Sequence, residues 1–256
     1  MTSFLERAAR RIFLSDAAQA IYEPYERVRQ RVALRLRRKG SDRPPPHLLK
    51  QRTVKEYARR FSIGTLVETG TYLGAMINAT KDTFSRIYSI ELDPALFQRA
   101  KRKYARFEHI SLIHGDSSEV LPTILADLRQ PCLFWLDAHY SGGFSAKGTL
   151  ESPILQEVRH ILNHPIDGHV ILIDDAHEFK GRGGYPTLTE LQDMIHSKHP
   201  GWIFQVKDDI IRVHRPAHQG HRRGPSSAES RRRKPRGQPW ASATRLRARA
   251  PVAAGH

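Results

Sequence analysis

The chain of 256 residues contains a single cysteine and carries a formal net charge of +16. That length fits one domain with extensions, and one cysteine excludes a disulfide-stapled scaffold and points to a reducing compartment. No apolar run approaches the roughly 20 residues of a membrane span, and the first residues lack the apolar core of a signal peptide; a cytoplasmic protein is expected.

The charge is unevenly spread. Residues 1–50 carry 12 Lys and Arg against 5 Asp and Glu, residues 51–215 carry 20 against 20, and residues 216–256 carry 10 against 1. A neutral centre argues against nucleic-acid binding by the core, while the basic arms keep an RNA-binding or RNA-modifying protein as the alternative reading.

In chain order, Phe4, Ala8, Ile12, Ile21, Val28, Val32 and Leu36 recur at helical spacing and predict a helix over 3–39, with arginines crowding its other face from Arg27 to Arg38. Such a helix either packs on the domain with a solvated face or makes a weak peripheral contact with an acidic membrane surface or a partner. The stretch Gly40 to Pro46, with three consecutive prolines, reads as a linker. The chain thus divides into a basic extension (1–48), a central domain (49–215) and a basic tail (216–256) too poor in large apolar residues to fold.

Within the central domain, helices predicted at 49–61, 73–84, 94–106, 118–128, 152–163 and 187–198 alternate with strands at 65–69, 86–91, 109–113, 132–137 and 169–174. Met76, Ile77, Ala79 and Phe84 form an inward face, and Asp93-Pro94 opens a helix with proline in its first turn. The basic residues of that helix, Arg99, Lys101, Arg102, Lys103 and Arg106, are expected on a solvated face. Ser118 is the expected cap of the helix that runs through Leu128. The nearly all-apolar strand 132–137 is expected to be covered on both faces, with Cys132 a buried structural residue. Trp202–Val206 and Ile210–His214 flank Lys207-Asp208-Asp209 and predict a hairpin.

The chemistry is expected where strands end. Ligands of an open parallel α/β sheet sit beyond the carboxyl ends of its strands, and here those ends are polar: Glu68-Thr69-Gly70-Thr71-Tyr72, Glu91-Leu92, Gly115-Asp116-Ser117 and Asp137. Gly70 and Glu91 are 21 residues apart, near the roughly 20 that separate a glycine turn from a ribose-binding acid. The turn is G-x-x-x-G rather than the G-x-G-x-x-G of a dinucleotide site, which speaks against a nicotinamide-dependent oxidoreductase. Glu68 before the turn disfavours a diphosphate and suits a ligand with a cationic amino-acid end and an adenosine end.

In order and spacing, V-E-T-G-T, I-E-L-D-P, H-G-D-S and L-D-A-H-Y resemble the cofactor motifs of class I S-adenosylmethionine-dependent methyltransferases over residues 50–215. The resemblance implies a Rossmann-like α/β fold: a seven-stranded, mostly parallel sheet with a C-terminal antiparallel hairpin and helices on both faces. It implies S-adenosyl-L-methionine as cofactor. Glu91, with Leu92 beside it, then meets the ribose, and Asp116 and Ser117 meet the adenine. Gly70 allows close backbone approach, Glu68 and Thr69 face the amino-acid end, and Thr71 and Tyr72 are neighbours.

A second cluster follows the next two strands: Asp137-Ala-His139-Tyr140 and Asp174-Asp175-Ala-His177. Carboxylates brought together by adjacent strands repel unless a proton or cation intervenes. The arrangement resembles the metal-dependent small-molecule O-methyltransferases, which implies Asp137, Asp174 and Asp175 as candidate Mg²⁺ ligands and a sugar or natural-product hydroxyl as acceptor. Asp137 equally suits a metal-free site beside the methyl group. His139 is the first candidate for general base and His177 the second. The glycine-rich loops 141–148 and 181–185 are candidate lids.

Overall fold

A computed structural model describes residues 9–10, 12–37, 45–137 and 153–216. His139, Tyr140, the loop 141–148, Phe4, Ala8, most of the proline-rich linker and the tail from residue 217 lie outside the described residues.

The sheet is built from β1 (Thr65–Thr69), β2 (Arg86–Glu91), β3 (Ile110–His114), β4 (Leu133–Leu136), β5 (Val170–Ile173), β6 (Ile203–Lys207) and β7 (Ile210–His214). Its order is β3-β2-β1-β4-β5-β7-β6, with β1 to β5 parallel and β7 antiparallel to both its neighbours. The expected seven-stranded sheet and closing hairpin are both present. Asp208 and Asp209 make the hairpin's two-residue turn, both at positive φ (52° and 58°), as a turn matching the strand twist requires.

Alternate residues of each central strand feed two separate cores, which is why the strands are apolar throughout. Val67, Phe134, Leu136, Ile171 and Ile173 join one cluster. Leu66, Leu133, Trp135, Val170 and Leu172 join the other. The first core is closed by α5 (Ser117–Asp127), α6 (Ile154–Leu162) and α7 (Leu188–Lys198). The second is closed by α2 (His47–Arg60), α3 (Ala75–Thr80) and α4 (Pro94–Tyr104). Cys132 is buried and free, as expected. Among the described residues, no helix is long and apolar enough to cross a membrane.

Several boundaries differ from the sequence reading for local reasons. The N-terminal helix does not run unbroken: the chain turns at Leu14 and Ser15, and α1 (Asp16–Leu36) starts behind Ser15, whose Oγ accepts from the Ala18 N–H at 3.3 Å. Helix 73–84 shrinks to α3, because Gly74 holds a left-handed conformation (φ 74°). A side chain at Gly74 would collide with the Tyr104 ring. Asp116, not Ser118, caps α5, accepting from the Ser118 N–H at 3.0 Å and from its hydroxyl at 2.6 Å. The domain boundary drawn at residue 48 falls inside α2, which begins at His47.

The basic face of α4 is only partly solvated. Lys101, Arg102 and Arg106 are exposed, but Arg99 is buried and reaches the Leu73 carbonyl, Gln19 and Glu23 of α1 at 3.3–3.4 Å. Lys103 joins Glu23 at 2.6 Å. These bonds fasten α1 to the domain beside the loop that follows β1.

Candidate active site

Strand register, not sequence proximity, assembles the site. Thr69 pairs with Ile90 on one side and Leu136 on the other, and Leu136 pairs with Ile173. One residue further on, Glu91, Gly70, Asp137 and Asp174 therefore stand in a row across four adjacent strand tips. The ladder runs one step past each strand, with N–H groups of Gly70, Asp137 and Asp174 donating to Ile90, Thr69 and Leu136 at 3.0–3.1 Å. The row crosses the β1–β4 switch point, where the strand order reverses and such sheets open a crevice.

The loop from Gly70 to Gly74 forms one wall. Gly70 (φ 89°), Tyr72 (φ 47°) and Gly74 (φ 74°) all adopt left-handed conformations, a strained choice for tyrosine. Glu91 holds the strain: one carboxylate oxygen accepts from the Tyr72 N–H at 2.7 Å and the other from the Asp93 N–H at 2.9 Å. Burial nevertheless keeps its pKa above the ordinary carboxylate value. A third backbone N–H, that of Leu92, also bears on it, and a carboxylate with about four acceptor sites still has room for a ligand hydroxyl. Leu92 follows directly, its carbonyl 3.1 Å from His114 Nε2.

Glu68 lies beneath this loop rather than on its surface. It is buried and accepts from Ser89 Oγ at 2.6 Å, and Ser89 Oγ is itself 2.6 Å from Thr71 Oγ1. Burial pushes Glu68 up to about 8. Thr69 points to the opposite face, where its hydroxyl accepts from the Asp137 N–H at 3.3 Å. On that face stands Glu157 of α6, completely buried and absent from the sequence reading. Burial pushes it up to about 7 against the nearby hydroxyls of Ser117 and Thr69, and Asp116 and Asp137 raise it further. Neither of its oxygens has a hydrogen-bond partner of proper geometry. A buried carboxyl left this way is costly, so it marks a place where a partner belongs.

The acidic cluster forms as expected: Asp137, Asp174 and Asp175 bring one oxygen each within 4.8 Å of one another. Asp175 takes a left-handed conformation (φ 51°), and its N–H donates to Asp174 Oδ1 at 2.9 Å. Into this cluster reaches Lys50, from the first turn of α2. Its Nζ lies 2.5 Å from Asp174 Oδ2 and 3.2 Å from Asp175 Oδ1. Burial opposes the Lys50 charge, but Asp174 and Asp175 outweigh it and raise the pKa above the ordinary value. Burial, and then the neighbouring Asp137, push Asp174 upward. His47, one turn before Lys50, has its pKa lowered by burial, while Asp137 pulls the other way.

The carboxylates by themselves suit a hard divalent ion, but the space between Asp174 and Asp175 is taken by the Lys50 ammonium, and the set as it stands does not fit Mg²⁺. His177 stands at the edge of the cluster, a ring nitrogen within 4.8 Å of an oxygen of Asp175 and of Asp209. It is exposed, with Nδ1 2.7 Å from Asp209 and Nε2 2.9 Å from Glu178, so both ring nitrogens are already engaged.

Sequence reasoning missed Lys50, His47 and Glu157. Lys50 leaves no local signal, since it meets Asp174 across 124 residues. Glu157 did leave one: Ile154, Val158, Ile161 and Leu162 make an apolar stripe, and position 157 is a carboxylate within it.

No family model and no curated protein matches the chain. Among solved structures it is similar to an O-methyltransferase from Bacillus cereus in complex with SAH, at TM-score 0.50 and 14% identity, over 75% of this chain and 90% of that one. It is also similar to the O-methyltransferase TomG from Streptomyces achromogenes, involved in tomaymycin synthesis and in complex with SAM (TM-score 0.47, 14% identity, 66% and 80% covered). A third is the SAH-bound methyltransferase PaMTH1 from Podospora anserina (TM-score 0.47, 19% identity, 84% and 98% covered). The strand order and the Bacillus cereus likeness give the same answer: the chain has the Rossmann-like fold of class I methyltransferases.

Proposed function

We propose that the chain transfers a methyl group from S-adenosylmethionine to a hydroxyl of a small molecule of sugar or natural-product type. The observation that carries this is the row of Gly70, Glu91 and Asp137 across the β1–β4 switch point, with the buried carboxyl of Glu157 against the Ser117 and Thr69 hydroxyls beside it. The cofactor supplies an electrophilic methyl group on a sulfonium. Glu91 would hold the ribose through its remaining lone pairs, and Asp116 and Ser117 would meet the base at the start of α5. The backbone of Gly70 to Tyr72, with Glu68 and Thr69 behind it, would receive the amino-acid end.

Charge supports the same reading. Asp137, Asp174 and Asp175 bring their oxygens within 4.8 Å of one another, and a wall lined with carboxylates suits a cationic ligand. The chain's own contribution is alignment of acceptor and donor and removal of the acceptor proton. His139 remains the first candidate for that base, since His177 is held between Asp209 and Glu178. No step is assigned to magnesium. The RNA reading draws its support from the basic arms alone, as the core is neutral.

Calorimetry with S-adenosylhomocysteine tests the proposal. Wild-type protein binds with measurable heat, and Glu91→Ala weakens binding by about a hundredfold through loss of hydrogen bonds to a charged acceptor. Absence of heat with folded wild-type protein sinks the reading.

A further inference from the structure

We propose that Lys50 is the resident cation of the acceptor site, standing where metal-assisted O-methyltransferases are expected to hold a divalent ion, so that this chain works without one. What the cation serves rests on the methyl-transfer reading; that it fills the site does not. Mg²⁺ requires oxygens at about 2.0–2.1 Å in an octahedron. The Lys50 Nζ, 2.5 Å from Asp174 Oδ2 and 3.2 Å from Asp175 Oδ1, already occupies the space those oxygens would share with an ion.

The lysine is not a loose surface residue that swings away at little cost. Its side chain is 12% exposed and that of Asp174 is 1% exposed. The helix behind it is anchored through Val54, Tyr57 and Ala58 in the core, and Gln51 Nε2 donates to the Ala75 carbonyl at 3.1 Å. An ammonium has three N–H donors; two face the carboxylates, and the third serves an acceptor oxygen as it gains charge. A lysine here supplies as a fixed group what a metal supplies as a bound one.

Manganese titration of the full chain, followed by electron paramagnetic resonance, tests this alongside calorimetry with S-adenosylhomocysteine. Wild-type protein leaves Mn²⁺ free, and dialysis against EDTA leaves its melting temperature unchanged. Lys50→Ala opens the carboxylates and tightens Mn²⁺ binding by about a hundredfold or more, while Lys50→Arg continues to exclude the ion. Stoichiometric Mn²⁺ binding by the wild type that Asp174→Asn abolishes overturns the proposal, and needs no lysine variant to fold. So does a folded Lys50→Ala protein with no gain in Mn²⁺ affinity. Excluded Mn²⁺ without heat from S-adenosylhomocysteine sinks methyl transfer and spares the cation assignment; bound Mn²⁺ with that heat does the reverse.

A separate observation concerns α1, which is inside out. The side facing the domain is largely polar: Gln19 is buried, Glu23 is bound to Arg99 and Lys103, and Glu26 and Gln30 are partly buried, with the half-buried Tyr22 and Leu34 beside them. The side facing outward carries Ile21, Tyr25, Val28, Val32 and Leu36 in one stripe, with Ile21 77% and Leu36 76% exposed. Exposed Arg29 flanks the stripe on one side and Arg31 and Arg35 on the other, while the helix's glutamates are tied up in ion pairs.

From this we infer that α1 docks on an anionic lipid surface. An apolar stripe bordered by arginines suits an acidic interface, whereas a second copy would bring like charges together. The test is co-sedimentation of the full chain with phosphatidylcholine vesicles, with and without phosphatidylserine. Binding requires the anionic lipid, and the double variant Ile21→Ser, Val28→Ser reduces it about tenfold or more with the charge of both arms intact. Unchanged binding by the variant assigns the affinity to the basic arms and overturns the inference. Absence of wild-type binding, or a concentration-dependent dimer in light scattering that the variant abolishes, overturns it as well.

Discussion

Two buried polar clusters sit at opposite ends of the same sheet and follow opposite rules. Before β4 and β5, His169 Nδ1 accepts from the Cys132 N–H at 3.0 Å, its Nε2 lies 2.8 Å from His164 Nδ1, and His164 Nε2 lies 2.8 Å from the Leu125 carbonyl. A backbone N–H only donates and a carbonyl only accepts, so both rings carry their proton on Nε2. Every ring nitrogen is used. Burial, with His164 alongside, pushes His169 down to about 4, which keeps it neutral and the chain of bonds intact. Beyond the other ends of these strands, Glu157 has no hydrogen bond of proper geometry, only the nearby Ser117 and Thr69 hydroxyls, and Glu68 and Asp174 are pushed upward by burial. A polar cluster closed on itself holds the fold, and one with acceptors left over is set for something that arrives.

The largest way to break this contrast is His169→Ala. It strands the Cys132 N–H and the His164 ring and opens a hole beside Phe134, 5.1 Å away. Urea unfolding is expected to show a loss of about 3 kcal/mol, with affinity for S-adenosylhomocysteine unchanged. A stable variant with weakened binding would reverse the roles assigned to the two ends.

Glu157→Gln should act the other way. Removing a poorly bonded buried carboxyl leaves the empty protein as stable or about 1 kcal/mol more stable at alkaline pH, while affinity for S-adenosylhomocysteine falls about tenfold. Calorimetry and urea unfolding on one preparation check both halves.

The smallest effect is a stability profile with two limbs. His169 has a folded pKa near 4, below its ordinary 6.5. The unfolded chain therefore gains the proton first, and stability is lost as pH falls from 6.5 toward 4. Glu68, near 8, and Glu157, near 7, are raised from 4.5. Their contribution is complete below 4.5 and is lost as pH rises through those values. Melting temperatures across the range should show the acid limb flattened in His169→Gln and the alkaline limb in Glu68→Gln.

Much of this was legible in the chain itself. The apolar runs ending at Glu91 and Asp137, and the glycine turn at Gly70, gave the strands and their order along the chain. Asp137, Asp174 and Asp175 were expected together and are together. Glu68 stood out as acidic but not as buried, because a one-dimensional pattern does not say which side of a strand tip faces solvent. The stripe of Ile21, Val28, Val32 and Leu36 was visible as well, but the same pattern serves a helix whose apolar face is turned in or out.

What the amino-acid order determined by itself was local: strand or helix, the glycines that break them, and which polar residues end each strand. Those features repeat every two or three to four residues, so a short window holds them. What only the folded chain decided was which distant groups meet: the row of strand tips, Lys50 against Asp174, 124 residues away, and the outward turn of α1. Register and packing between far-apart segments set these, and such contacts leave no period in the sequence to read.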